Sequence, residues 1–150
     1  RTEYSIKALT DAGKEVECLY EYLDNWDQTT AQQDVANALA QYGEKIEVVF
    51  CNNDAMALGA LQSIEQAGRT VGKDIYLVGV DALKEAVQNV VDGKMTGTIK
   101  QDAEGMANGI AYLAKNIQAG KDLMADTDSF NISEKVSNKI YIPYATYTGE

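Results

Sequence analysis

The sequence predicts an α/β fold, a parallel sheet flanked by helices. Three observations carry that expectation. Helical and strand patterns alternate along the first hundred residues. The strand candidates IEVVFC (residues 46–51) and IYLVGV (residues 75–80) are mostly apolar, as strands covered on both faces are. Each then ends in polar residues, Asn52-Asn53-Asp54 and Asp81, just where a helix begins. Right-handed crossovers put all such turns on one edge of the sheet, where open α/β sheets bind ligands.

Taken in order, residues 1–13 read as a helix with Tyr4, Ala8, Leu9 and Ala12 on one stripe and Gly13 as the stop. From Glu15 to Tyr22, Val16, Cys18, Tyr20 and Tyr22 alternate onto one face, which predicts a strand. The polar turn Asp24-Asn25-Trp26-Asp27 holds the only Trp. Thr29 or Thr30 then caps a helix striped by Ala31, Val35, Ala38, Leu39 and Tyr42. Strand 46–51 leads into helix 54–67, closed by Gly68. Strand 75–80 leads into helix 83–91, stopped by Gly93. Residues 96–100 form a short strand. Helix 103–119 is strongly amphipathic, with Met106, Ile110, Leu113, Ala114 and Ile117 inward and Gly120 as its stop. The tail is polar from Lys121 to Asn138, with a short strand at 130–132. It is β-rich from Lys139 to Tyr147, where Pro143 marks an edge or a crossing point.

Composition removes several functions. The 150 residues carry a net charge of -10 and no His. Phosphate recognition needs clustered Lys and Arg, so nucleic acid is excluded as a partner. Imidazole catalysis and His-ligated zinc are absent by count. No GxxxxGK[ST] or GxGxxG occurs to cradle a phosphate, and no nucleophile–base pair can be assembled, so the chain is not expected to be an enzyme. Cys18 and Cys51, 33 residues apart, read as two small buried hydrophobes rather than a disulfide. The chain opens at Arg1 without an initiator Met or a leader, as a trimmed chain or a proteolytic fragment would.

What remains is the edge. Trp26, Asn53, Asp81 and Gln101 or Asp102 are the convergent polar and aromatic set there. Each has a plainer explanation alone: Asn53, Asp54 and Asp81 are good helix caps, and a single Trp is often core. Together they suit a sugar. Short planar amides and carboxylates match vicinal hydroxyls, and an aromatic ring stacks on the apolar face of a pyranose.

At NNDAMALGAL, VGVDALKEAV, DGKMTGTIKQD and YIPY the chain resembles the C-terminal half of galactose/glucose-binding proteins of ABC sugar transporters. These belong to the ribose-binding-like periplasmic binding proteins, whose type I fold is shared with LacI-type repressor sensor domains. The resemblance covers essentially the whole chain. It implies sugar contacts from Arg1, Trp26, Asn53, Asp81 and Gln101, with Asp54 left as the helix cap. The galactose/glucose branch has Asn where this chain has Gln101, and the ribose branch has Gln; Trp26 favours a hexose. Glu47 falls where the branch supplies a bidentate glutamate to a structural Ca²⁺. Calcium takes 6–8 oxygens, so Glu47 alone is not expected to hold it.

The resemblance also implies a partial two-lobe chain. Residues 1–98 form most of the C-terminal lobe without its first strand. Residues 99–138 cross to the N-terminal lobe and contribute to it, and 139–150 return. The apolar stripe of helix 103–119 is then expected to be exposed, or covered by the missing N-terminal half or a second chain. Implied partners are a monosaccharide and the ABC permease, with delivery to that permease or to a chemoreceptor. The implied location is periplasmic, or extracytoplasmic and lipid-anchored in a Gram-positive cell. A LacI-type sensor domain is the alternative, decided by a helix-turn-helix outside the sequence. A receiver domain phosphorylated at Asp81 lacks its acidic pair and Lys.

Overall fold

The computed structural model describes residues 1–127 and 130–149. They fall into two compact units, one of residues 1–100 with the chain from Thr146 onward, the other of residues 101–145.

In the first unit, α1 spans Thr2–Asp11 and ends at Gly13, whose φ of 75° is the left-handed stop that glycine allows. Its half-buried face is Thr2, Ser5, Ile6 and Leu9, at helical spacing. Tyr4, Ala8 and Ala12, expected on the inward stripe, are exposed. The expected strand 15–22 is not formed. Residues 14–23 form no ladder: among the described residues no backbone hydrogen bond joins them to the free edge of β1. Cys18 is accordingly exposed rather than buried, and both cysteines are free thiols.

The helix α2 (Gln28–Tyr42) is capped by Asp27, which accepts from Thr30 N at 2.7 Å, and not by Thr29 or Thr30 as the sequence suggested. The acid lies one turn ahead of the threonines, where a side-chain oxygen reaches the third amide of the helix. The expected stripe holds: Ala31, Ala38 and Leu39 are buried, with Val35 and Tyr42 packed partly against the core.

A 3-10 turn (Gly43–Lys45) leads to β1 (Val48–Phe50), then α3 (Asp54–Gln66), β2 (Tyr76–Val78), α4 (Lys84–Val91) and β3 (Thr98–Gln101). β1 and β2 are parallel, with Val49 opposite Leu77. The hydrogen bonding continues from β2 to the next segment: Thr96 N donates to Leu77 O (2.9 Å), Gly79 N to Gly97 O (3.1 Å) and Asp81 N to Ile99 O (2.8 Å). The parallel arrangement expected from the sequence is therefore present, though each strand is shorter than its apolar run.

Ala57, Ala60, Ile64, Ile75, Leu77 and Ala86 form the closed centre of this unit. Burying a side chain such as Leu77 contributes about 1.5–3 kcal/mol. α2 and α3 approach closely because Gly59 has no side chain; a Cβ there would overlap the carbonyl of Gln28. Ser63 Oγ donates to Gln32 O across the same contact at 2.6 Å.

The second unit is built on α5 (Ala103–Gln118), capped by Asp102, which accepts from Gly105 N at 2.9 Å. β4 (Asn131–Ile132) pairs antiparallel with β5 (Ile140–Tyr141), and β6 (Tyr144–Tyr147) follows. The packed face of α5 is Gly105, Gly109, Tyr112 and Asn116. At Gly109 a Cβ would lie 2.9 Å from Ile140 Cδ1. Tyr112 meets Phe130 edge-on at 5.8 Å, and Asn116 Nδ2 donates to Leu123 O and Ala125 O. Met106, Ile110 and Ile117 are exposed, the two isoleucines by 70% and 67%, which is the exposure expected for the apolar stripe of this helix when nothing covers it.

Candidate functional site

Polar residues gather at the carboxyl ends of β1 and β2, the edge the alternating pattern selects. After β1 the chain turns through Asn52 and Asn53 into α3. Asn53, not Asp54, is the N-cap: its Oδ1 accepts from Met56 N at 3.0 Å. The cap uses one oxygen and leaves the amide Nδ2 with no acceptor among the described residues. Asn53 can therefore cap α3 and still donate to a ligand.

Asp54 does something else. It is fully buried (0%), with Oδ2 accepting from Leu83 N at 2.8 Å and Oδ1 from the Thr98 hydroxyl at 2.7 Å. Burial pushes its carboxyl above the usual range, opposed by the Thr98 and Leu83 donors, while the Asp81 charge adds to the rise.

Asp81 ends the β2 segment at a φ of 125°, and Ala82 follows at 56°. Two successive non-glycine residues with positive φ are costly, about 1–3 kcal/mol each, and such strain concentrates at binding sites. Asp81 does not cap α4. The N-cap is Leu83, which supplies no side-chain oxygen.

Arg1 lies at the same edge, its guanidinium donating to the carbonyl of Asn52. Asn52 Nδ2 donates to Thr2 Oγ1 at 2.9 Å, so the start of α1 is tied to the turn after β1. Trp26 sits on the turn before α2 and is 69% exposed, with Asn25 and Trp26 at φ of 50° and 62°. Gln101 is the first residue of the second unit, where its Oε1 accepts from Tyr144 OH at 3.4 Å. The turns carrying Arg1, Asn53 and Asp81 are thus linked by hydrogen bonds and the parallel sheet. Trp26 lies on the turn before α2, and Gln101 is the last residue of β3.

Glu47 is exposed just before β1, and its carbonyl accepts from Tyr76 N at 2.8 Å. Among the described residues no three potential metal ligands converge. Glu47 is a single carboxylate here and does not by itself fit a Ca²⁺ site.

A cavity of about 620 Å³ lies on the other side of β1, between that strand and the extended segment 14–22. Ile6, Leu9, Val16, Val35, Val49 and Cys51 are among its walls. It occupies the flank where β1 lacks a strand neighbour. Burial pushes the Cys51 thiol up to about 12, with the Asp24 and Asp54 charges adding to it, so it is no nucleophile.

Sequence reasoning missed Thr98 and the task of Asp54. The signal was Gly79 inside LVGVD: a Cβ there would collide with the Asp54 carboxylate.

Residues 1–122 match the family described as periplasmic binding protein domain. A D-galactose/methyl-galactoside binding periplasmic protein of Haemophilus influenzae is 34% identical over 145 residues, covering 96% of this chain and 41% of that protein. The D-allose-binding periplasmic protein of Escherichia coli is 36% identical over 103 residues, 68% of this chain and 32% of that one. Among solved structures, an ABC transporter solute binding protein from Bacillus halodurans with bound myo-inositol superposes with a TM-score of 0.76. It is 26% identical and covered to 45%, against 98% of this chain. The chain therefore spans less than half the length of these relatives.

Proposed function

This chain belongs to the periplasmic binding protein domain family, and on that premise we propose that it forms one wall of a monosaccharide site in the binding component of an ABC sugar importer. The observation that carries the reading is the pairing of two polar turns, Asn53 after β1 and Asp81 after β2, at the carboxyl ends of adjacent parallel strands. Asn53 Nδ2 donates to one sugar hydroxyl and Asp81 accepts from a neighbouring pair. Trp26 stacks on the apolar face of the ring, and Arg1 and Gln101 contribute further polar contacts. The relatives named for D-galactose and D-allose support a hexose. Galactose or glucose is the ligand class we favour, by the presence of Trp26.

The function is binding and delivery, not catalysis. The sugar-loaded protein passes its ligand to the membrane permease or a chemoreceptor, outside the cytoplasmic membrane. Glu47 contributes one carboxylate to a Ca²⁺ site whose other oxygens come from elsewhere in the protein. The exposed Ile110 and Ile117 face of α5 is covered by the rest of the protein or a second chain.

Calorimetry with galactose, glucose, allose, ribose and myo-inositol on the protein at its full encoded length tests the reading. We expect one hexose to bind, with the affinity lost in Asn53→Ala and Asp81→Ala. Equal indifference to all five sugars would overturn it.

A further inference from the structure

Among the described residues near the site Asp54 is the fully buried acid, and the sugar reading leaves it without a task. It points at no ligand and caps no helix. Its oxygens are instead spent on the turn after β2 and on the first residue of β3. Oδ2 takes the Leu83 amide at 2.8 Å, and Oδ1 takes the Thr98 hydroxyl at 2.7 Å. Thr98 Oγ1 then accepts from the Ala82 amide at 3.3 Å. The two amides that follow Asp81 are thereby fastened, one directly and one through Thr98, to a carboxylate on another helix. The space for that carboxylate exists because Gly79 has no side chain.

The fastened segment is the strained one. Asp81 and Ala82 carry φ of 125° and 56°, a pair that relaxes unless its surroundings hold it. The Asp81 amide is itself pinned to Ile99 O at 2.8 Å. Donors at 81, 82 and 83 are thus taken in succession by β3, Thr98 and Asp54. Burying a carboxylate is costly, and here its hydrogen bonds go to the residues flanking a single proposed ligand.

We infer that Asp54, acting with Thr98, is a positioning residue that holds the turn at Asp81 and Ala82 in the conformation from which Asp81 meets the sugar. The inference rests on the assignment of Asp81 as a sugar ligand.

The test is a double-mutant cycle on sugar affinity in the protein at its full encoded length, read by calorimetry. Asp54→Asn weakens binding by about 10- to 100-fold, within the coupling that residues of one hydrogen-bond network show. Thr98→Val weakens it by a smaller factor, and Thr98→Ser, which keeps the hydroxyl, restores it. In an Asp81→Asn background the Asp54→Asn loss shrinks to less than about threefold. Losses that simply add, or a Thr98→Ser variant as weak as Thr98→Val, would overturn the inference. Hydrogen exchange supplies an arm independent of any sugar. In Asp54→Asn the Ala82 and Leu83 amides lose protection while those of Cys51, Tyr76 and Gly79 keep theirs. Unchanged protection at 82 and 83, or a uniform loss everywhere, would also overturn it. If no sugar binds the wild type, the proposed function fails, and the exchange arm alone decides whether Asp54 holds the turn.

Discussion

Two acids on opposite flanks of β1 show how differently the two sides of the first unit are built. Asp54, between β1 and β2, is fully buried and has a donor for each oxygen. Asp24, at the end of the extended segment 14–23, has a buried Oδ1 with no hydrogen-bond partner among the described residues. Burial, then the neighbouring Asp34 carboxyl, pushes Asp24 up to about 6. Both acids are raised, but one is a network and the other an unresolved contact between like charges. The difference follows from the strands. β1 has β2 on one side, so turns, helices and side chains there have fixed partners. On the other side it faces a cavity, and nothing forces the chain into register.

The largest expected contrast lies in the cysteines that mark the two sides. Cys18 is exposed on the loose segment, whereas Cys51 is held near 12. A thiol displaced from the ordinary 9.0 to about 12 loses a factor on the order of 10³ in thiolate near pH 8. Iodoacetamide followed by mass spectrometry should label Cys18 promptly and Cys51 hardly at all. Comparable rates would show that the β1 flank opens as freely as the segment.

Core truncation should separate the sides next. Leu77→Ala, at a fully buried position, is expected to destabilise by about 2–5 kcal/mol in urea unfolding. Val16→Ala, on the partly exposed segment, should cost less than about 1 kcal/mol. Equal losses would mean that segment 14–22 packs in solution as a true strand.

The smallest effect is the pH dependence of Asp24. Its pKa is raised in the folded state from 3.8 to about 6, so folding takes up a proton in that window. The contribution to stability is full below about pH 4 and is lost as pH rises through 6. Asp24→Asn should flatten that decline and stabilise the protein at pH 7 by on the order of 1 kcal/mol, after allowance for solvent screening. A decline between pH 4 and 6 that survives the substitution would place its source elsewhere.

The same asymmetry explains what could be read from the residues. The α2 stripe, the stops at Gly13, Gly68, Gly93 and Gly120, and the order β1–α3–β2–α4–β3 were legible because period and punctuation are local properties. The alternation of Val16, Cys18, Tyr20 and Tyr22 was equally visible and produced no strand. A strand is completed by hydrogen bonds to a neighbour, and across the cavity this segment makes none with the free edge of β1. The apolar stripe of α5 was legible and is exposed as expected, but the face that packs was not. Gly105, Gly109 and Asn116 pack because Ile140, Ile142 and the loop after the helix lie against them, which hydropathy does not record.

At the site, the sequence by itself determined which residue types stand at the strand ends: Asn53 and Asp54 after β1, Asp81 after β2, Trp26 before α2. It also determined that no imidazole or phosphate cradle accompanies them. Only the tertiary structure decided their division of labour. Asn and Asp are both good caps, and a list of residues cannot say which one takes the amide of Met56. That choice fell to Asn53 because Gly79 and Thr98, 26 and 45 positions from it, leave a buried space that only the Asp54 carboxylate fills.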